Sequence, residues 1–211
     1  MATEAKPTKP TRKAVKGNVD KHDAYKVLMA KYKQARQQGF YFEMIWILYA
    51  MFEDRASAFL YYCGFVSDNR RKVVTDKETQ KSIRKVLKLS DKANFDFDTL
   101  AGKTTTIRKA IKWVQNEEAS DDYQKDLYQL LNRKAVTDPS FLECLAGMDY
   151  WRDKRNGLTH ALFSVKSYEM ANELKPLTEQ GYKLARALDS VVSALHRRDQ
   201  QSSIREKYGL K

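Results

Sequence analysis

The chain has 211 residues, with 39 Lys and Arg against 27 Asp and Glu, a formal net charge of +12. That length suits one large domain or a domain with tails, and the charge favours polyanionic partners, nucleic acid first, over acidic proteins or cationic substrates. Hydrophobic residues at 42% suffice for a core, while only 8 Gly and 4 Pro leave too few breakers for a turn-rich β-fold and point to helices.

Residues 1–20 read M-A-T-E-A-K-P-T-K-P-T-R-K-A-V-K-G-N-V-D, with six Lys or Arg up to Lys21 and no large apolar cluster. Such a segment cannot bury enough surface to offset the entropy of ordering, so a basic tail is expected, either solubilising or scanning RNA. It has no apolar stretch of the kind a signal peptide carries. A first helix is predicted over 22–38, where Tyr25, Leu28, Met29, Tyr32 and Ala35 share a face and Gly39 is a fitting stop.

A second helix, 40–64, is apolar nearly all round and reads as buried by neighbours or by a second subunit. Its acidic residues and Arg55 interrupt it too often for a bilayer span, so no membrane association and a cytoplasmic location are expected. Glu43 stands out as a carboxylate among aromatics that should find a cation or donor. It pairs structurally or stands behind Arg155 as a supporting carboxylate.

A polar link, 67–75, precedes a helix over 76–89. Lys77, Lys81, Arg84, Lys85, Lys88 and Lys92 recur at three- and four-residue spacing, and nine basic residues face three acidic ones between Arg70 and Lys92. This stripe is either a solvated face or a track for a phosphate backbone, and Lys77, Lys81, Arg84, Lys85 and Lys88, with Arg152, are the candidate RNA-binding residues. Residues 91–104 read as a loop. Its A-G-K-T-T-T is no phosphate loop, because Phe97 stands where the first glycine is required and no strand precedes it. A helix then starts at Thr104–Thr106 and runs to about Asn116.

Ser120 is the expected cap of a helix over 121–134. Asp138-Pro139 opens another by the preference of proline for the first helical position, and it leads into D-Y-W-R-D-K-R-N-G-L-T-H-A-L-F, residues 149–163. A crossover over 165–176 and a last helix over 177–199 follow, with 200–211 as a flexible tail. The expected fold is all-α: an antiparallel helical bundle over 21–199 between two tails.

Cys63 and Cys144 lie far apart in hydrophobic segments and read as core thiols of a reducing compartment. His22, His160 and His196 are isolated, so neither a metal centre nor a cofactor is expected. Chemistry concentrates in the 149–163 stretch. Cleaving RNA without a metal needs a proton acceptor for the ribose 2′-hydroxyl, a proton donor for the leaving 5′-oxygen, and a cation for the charge on phosphorus. An imidazole can do either proton task, and a guanidinium forks onto phosphate oxygens. Arg155 and His160, with Asn156 to fix the imidazole or touch phosphate, are the minimum catalytic set. Five residues of helix separate them by about 140°. Either Asn156-Gly157 breaks the helix, or a two-fold dimer brings two copies into one cleft. The helical spacing of Trp151, Arg155, Leu158 and Leu162 favours the dimer.

The R-N-x-x-x-H pattern resembles the signature of the HEPN superfamily, small helical domains that include many metal-independent ribonucleases. The resemblance covers this motif and the helical layout over 22–199. It implies four or five helices, an active site between two HEPN units, and endoribonuclease activity leaving a 2′,3′-cyclic phosphate and a 5′-hydroxyl. It further implies use as a toxin or in anti-phage abortive infection, with an antitoxin or guide RNA as a possible partner. Some members only bind RNA or protein, and a basic helical scaffold carrying the pattern by accident is the remaining alternative.

Overall fold

The computed structural model describes residues 17–67, 72–160, 167–199, 201 and 203–210, without the side chains of 17–24 and 167–169. Among these residues the regular structure is helical: α1 (Gly17–Gln38), α2 (Tyr41–Tyr62), α3 (Lys77–Val86), α4 (Leu100–Asn116), α5 (Asp122–Leu131), α6 (Lys134–Thr137), α7 (Pro139–His160), α8 (Ser167–Asp199) and α9 (Ile204–Lys207). An isolated bridge joins Val66 to Val73. The all-α expectation holds. No helix among the described residues is long and apolar enough to cross a membrane.

The chain divides into two units, residues 1–40 and 41–211. The first contains α1. It starts at Gly17, so the end of the expected tail, 17–20, is helical; residues 1–16 lie outside the described ones. It stops at Gly39, whose φ of +70° lets Phe40 N–H donate to Ala35 O at 2.8 Å.

In the second unit α2 packs along α8, and α7 lies against both. Phe52 meets Trp151 edge-on at 5.0 Å and Phe59 stacks on Phe141 at 6.2 Å, so α2 and α7 run in opposite directions. Trp151 Nε1 donates to Leu177 O at 2.8 Å, and Cys144 Sγ lies 3.6 Å from Leu184 O, so α7 also opposes α8. The α2–α8 pair departs from the expected antiparallel layout. Arg55 meets Asp189 at 3.4 Å and Tyr62 stacks on His196 at 5.3 Å, both seven residues on, so these two helices run parallel. Their parallel order is possible because α3–α7 return the chain before α8 begins.

Several boundaries differ from expectation for local reasons. Asp76 caps α3, its side chain accepting from Thr79 N–H at 2.7 Å. Thr99, not the 104–106 threonines, caps α4 through Gly102 N–H at 3.0 Å. Asp121 rather than Ser120 caps α5, and Ser120 bonds the Gln124 side chain instead. Pro139 opens α7 as expected. The expected crossover is the first part of α8, which begins at Ser167 and passes through Pro176. An interior proline costs about 3 kcal/mol. Met170, Leu174 and Leu177 are buried around it, at about 1.5–3 kcal/mol for each large side chain, and offset that cost.

Residues 203–210, expected to belong to a loose tail, are folded. Ile204 and Leu210 are buried, and Arg205 spends its guanidinium on the carbonyls of Val66 at 2.6 Å and Leu210 at 2.7 Å. Tyr208 donates to Asp126 at 2.6 Å. The segment closes over Gly64, where φ is +73° and an added Cβ would stand 2.9 Å from Leu210. A polar sequence concealed these anchors because a buried arginine is read as exposed until its acceptors are known.

Candidate functional site

Arg155 and Asn156 lie on the last turns of α7, which continues unbroken through Asn156-Gly157 to His160. The first of the two expected outcomes, a local break, is therefore excluded. A Cβ added at Gly157 would meet nothing within 4 Å, so Gly157→Ala is expected to stabilise α7 by about 0.5–1 kcal/mol, read as a raised melting temperature. A lowered one would mean that a bend at this point matters. On a continuous helix Arg155 and His160 stand ~7.5 Å apart along the axis and ~140° apart around it.

The Arg155 guanidinium sits in a corner formed by two rings of α2. Its carbon is 4.2 Å from the centre of Trp46 and 4.5 Å from that of Tyr49, and the rings meet edge to face at 6.5 Å. Each such contact is worth about 0.5–2 kcal/mol. Asn156 Oδ1 accepts from Arg155 Nη1 at 2.8 Å, so Asn156 fixes the guanidinium rather than the imidazole. His160 is exposed in the final turn. Residues 161–163 of the same stretch lie outside the described residues.

The carboxylates that might neutralise Arg155 are engaged elsewhere. Glu53 pairs with the buried Lys103 and accepts from the Tyr49 hydroxyl at 3.2 Å. Burial, and then Glu53, push the Tyr49 hydroxyl above its ordinary pKa, while Arg155 and Arg152 pull it down. Asp149 pairs with Arg108, takes a bond from Thr104 at 2.9 Å and a second ion pair from Arg152 at 3.0 Å. Arg152 also holds Asp153 at 2.9 Å. Glu43 is exposed on the first turn of α2 and makes no pair with Arg155; the two rings occupy the role expected of it. Among the described residues, Arg155 thus carries a positive charge with no carboxylate partner.

The six expected RNA contacts separate into three kinds. Lys77, Lys81 and Lys85 are exposed at four-residue spacing along α3, their ammonium groups unpaired among the described residues. Lys88 is exposed but pairs with Glu117 at 2.6 Å. Arg84 and Arg152 are corrections. Arg84 donates to the carbonyls of Ser90 at 2.8 Å and Ala93 at 2.7 Å and covers the Phe95 ring at 4.6 Å, so it braces the loop after α3. Arg152 is neutralised by Asp149 and Asp153. A short-range charge pattern cannot tell an arginine that binds backbone carbonyls from one that faces solvent.

Sequence reasoning misses Trp46 and Tyr49, which lie more than a hundred residues from Arg155. Their i, i+3 spacing is visible, but the helix around them is so apolar that both read as core. Trp46 is in fact 53% exposed, and Tyr150 beside Lys154 is 55% exposed. No family model, curated protein or solved structure matches this chain.

Proposed function

We propose that this chain is a metal-independent endoribonuclease of the HEPN type, acting as a homodimer in a toxin or anti-phage defence role. The observation that carries this reading is the state of Arg155: half-buried, clamped by Trp46, Tyr49 and Asn156, and not neutralised by any described carboxylate. A guanidinium kept charged and fixed in direction is what a pentavalent phosphorus centre requires. The stripe of Lys77, Lys81 and Lys85 supplies a second place for the RNA backbone.

The ribose 2′-oxygen attacks phosphorus, and the bond to the 5′-oxygen breaks. His160 moves one of the two protons, either taking that of the 2′-hydroxyl or giving one to the 5′-oxygen, and the products are a 2′,3′-cyclic phosphate and a 5′-hydroxyl. Arg155 holds the non-bridging oxygens, and Asn156 positions Arg155. Because one helix sets Arg155 and His160 ~140° apart, the working pair combines Arg155 of one copy with His160 of the other. Such an activity needs restraint in the cell, and an antitoxin or a guide RNA is the partner to seek.

The exposed Trp46 and Tyr150 favour a second reading, a non-catalytic module that docks RNA or protein. Incubation with end-labelled RNA in excess chelator separates the two. Cleavage is expected to persist, with cyclic phosphate ends. Loss of cleavage in chelator that magnesium restores contradicts the mechanism, and binding without cleavage selects the second reading.

A further inference from the structure

A groove of about 290 Å³ opens between the end of α3 and α4, near the lower end of the size range for small-molecule sites, ~300–1,000 Å³. Its floor is apolar, from Val86, Leu87 and Trp113, and its rim is cationic, from Lys88, Lys109 and Lys112. A second cavity of about 220 Å³, lined by the Phe95 and Phe97 side, shares Leu87 and Lys109 with the first, so the two adjoin at that lysine. Lys109 and Lys112 are exposed and their ammonium groups are unpaired among the described residues.

Lys88 adds an independent observation. It is the described non-glycine residue with positive φ, +50°, at a helix end where glycine is the usual occupant. That backbone aims its side chain across to Glu117, which also lines the groove, at 2.6 Å. A phosphate arriving at the rim meets Lys88 in competition with one carboxylate and meets Lys109 and Lys112 without competition. Asp96, the acid of the second cavity, is occupied by the Thr99 hydroxyl at 3.1 Å.

We infer that this double groove seats two successive nucleotides of single-stranded RNA, their bases on the two apolar floors and the linking phosphate at Lys109. Apolar floors with a cationic rim match a strand whose bases are flat and apolar-faced and whose backbone is anionic. The net charge of +12 and the neighbouring α3 lysines favour this occupant over an acyl chain. The inference rests on RNA as the partner but not on catalysis.

The test uses a fluorescent 2′-O-methyl oligouridine, which lacks the attacking hydroxyl and cannot be cut, and an abasic oligomer of equal length. Anisotropy is read on the full chain. Lys109→Gln with Lys112→Gln is expected to weaken binding at least tenfold and to flatten the salt slope by about 1.4, at about 0.7 per lost single-strand phosphate contact. Asn116→Phe, which places a ring in the groove and leaves the lysines intact, is expected to weaken the base-bearing oligomer at least fivefold and leave the abasic one unchanged. Wild-type affinity in both variants overturns the groove, and equal weakening of both oligomers by Asn116→Phe overturns the base seat. If that variant does not fold, equal affinity of the wild type for the two oligomers overturns the base seat instead. No binding by the wild type overturns RNA as the partner along with the groove, whereas cleavage of ordinary RNA is scored separately.

Discussion

Trp151→Ala is expected to lower the stability of the 41–211 unit by about 3–5 kcal/mol, the range for deleting a large aromatic from a packed core. Trp151 has 0% exposure and holds three helices at once. Its ring meets Phe52 of α2 at 5.0 Å, and its Nε1 donates across to the Leu177 carbonyl of α8 at 2.8 Å. Gly181 makes room for it, since a Cβ there would stand 2.5 Å from Nε1 and 3.0 Å from Leu48. The substitution removes the ring, opens a cavity where α2, α7 and α8 meet, and takes the donor from that carbonyl. Trp151→Phe, which restores most of the ring but not the N–H, is expected to cost about 1–3 kcal/mol. Urea denaturation followed by circular dichroism reads both. A loss under about 1 kcal/mol for Trp151→Ala would mean that the helices are not held together at this point.

Arg155→Ala and His160→Ala are each expected to lower RNA cleavage by about 10²–10⁴-fold, the usual weight of a proton-transfer or charge-stabilising group. Neither should weaken RNA binding comparably, because both groups act on charge that develops in the transition state. Trp46→Ala keeps Arg155 but removes one wall of its corner, and it is expected to cost about tenfold, the equivalent of a single cation–π contact. Unchanged melting temperatures would show that these losses are local. Full activity in Arg155→Ala would remove the basis of the proposed chemistry.

Much of the architecture could be read from the chain. The apolar run of α2 and the proline at the start of α7 are strong local signals, and both helices lie where those signals place them. Local signals failed where a distant contact outweighs them. Pro176 reads as a boundary, yet burial on both sides of it carries α8 through. Ala101-Gly102-Lys103 reads as a loop, yet the Thr99 cap and the Lys103–Glu53 pair draw it into α4. The direction of the α2–α8 pair was not legible, because both parallel and antiparallel packing use the same apolar stripe. At the site, Arg155, Asn156 and His160 were legible as a spacing, whereas the ring corner and the diversion of Asp149 and Glu53 to other cations exist only in three dimensions.

The shared cleft is tested by mixing Arg155→Ala protein with His160→Ala protein. A dimer of one of each holds a single Arg155 and a single His160, on opposite chains. Tagging the two variants differently and isolating the mixed dimer ensures that it has formed. If the working pair spans two copies, the mixed dimer is expected to regain up to about half of the wild-type cleavage rate, since one of two symmetric sites is restored. A mixed dimer as inactive as its parents, or a wild-type chain that cleaves RNA while monomeric at micromolar concentration, contradicts a site built from two copies.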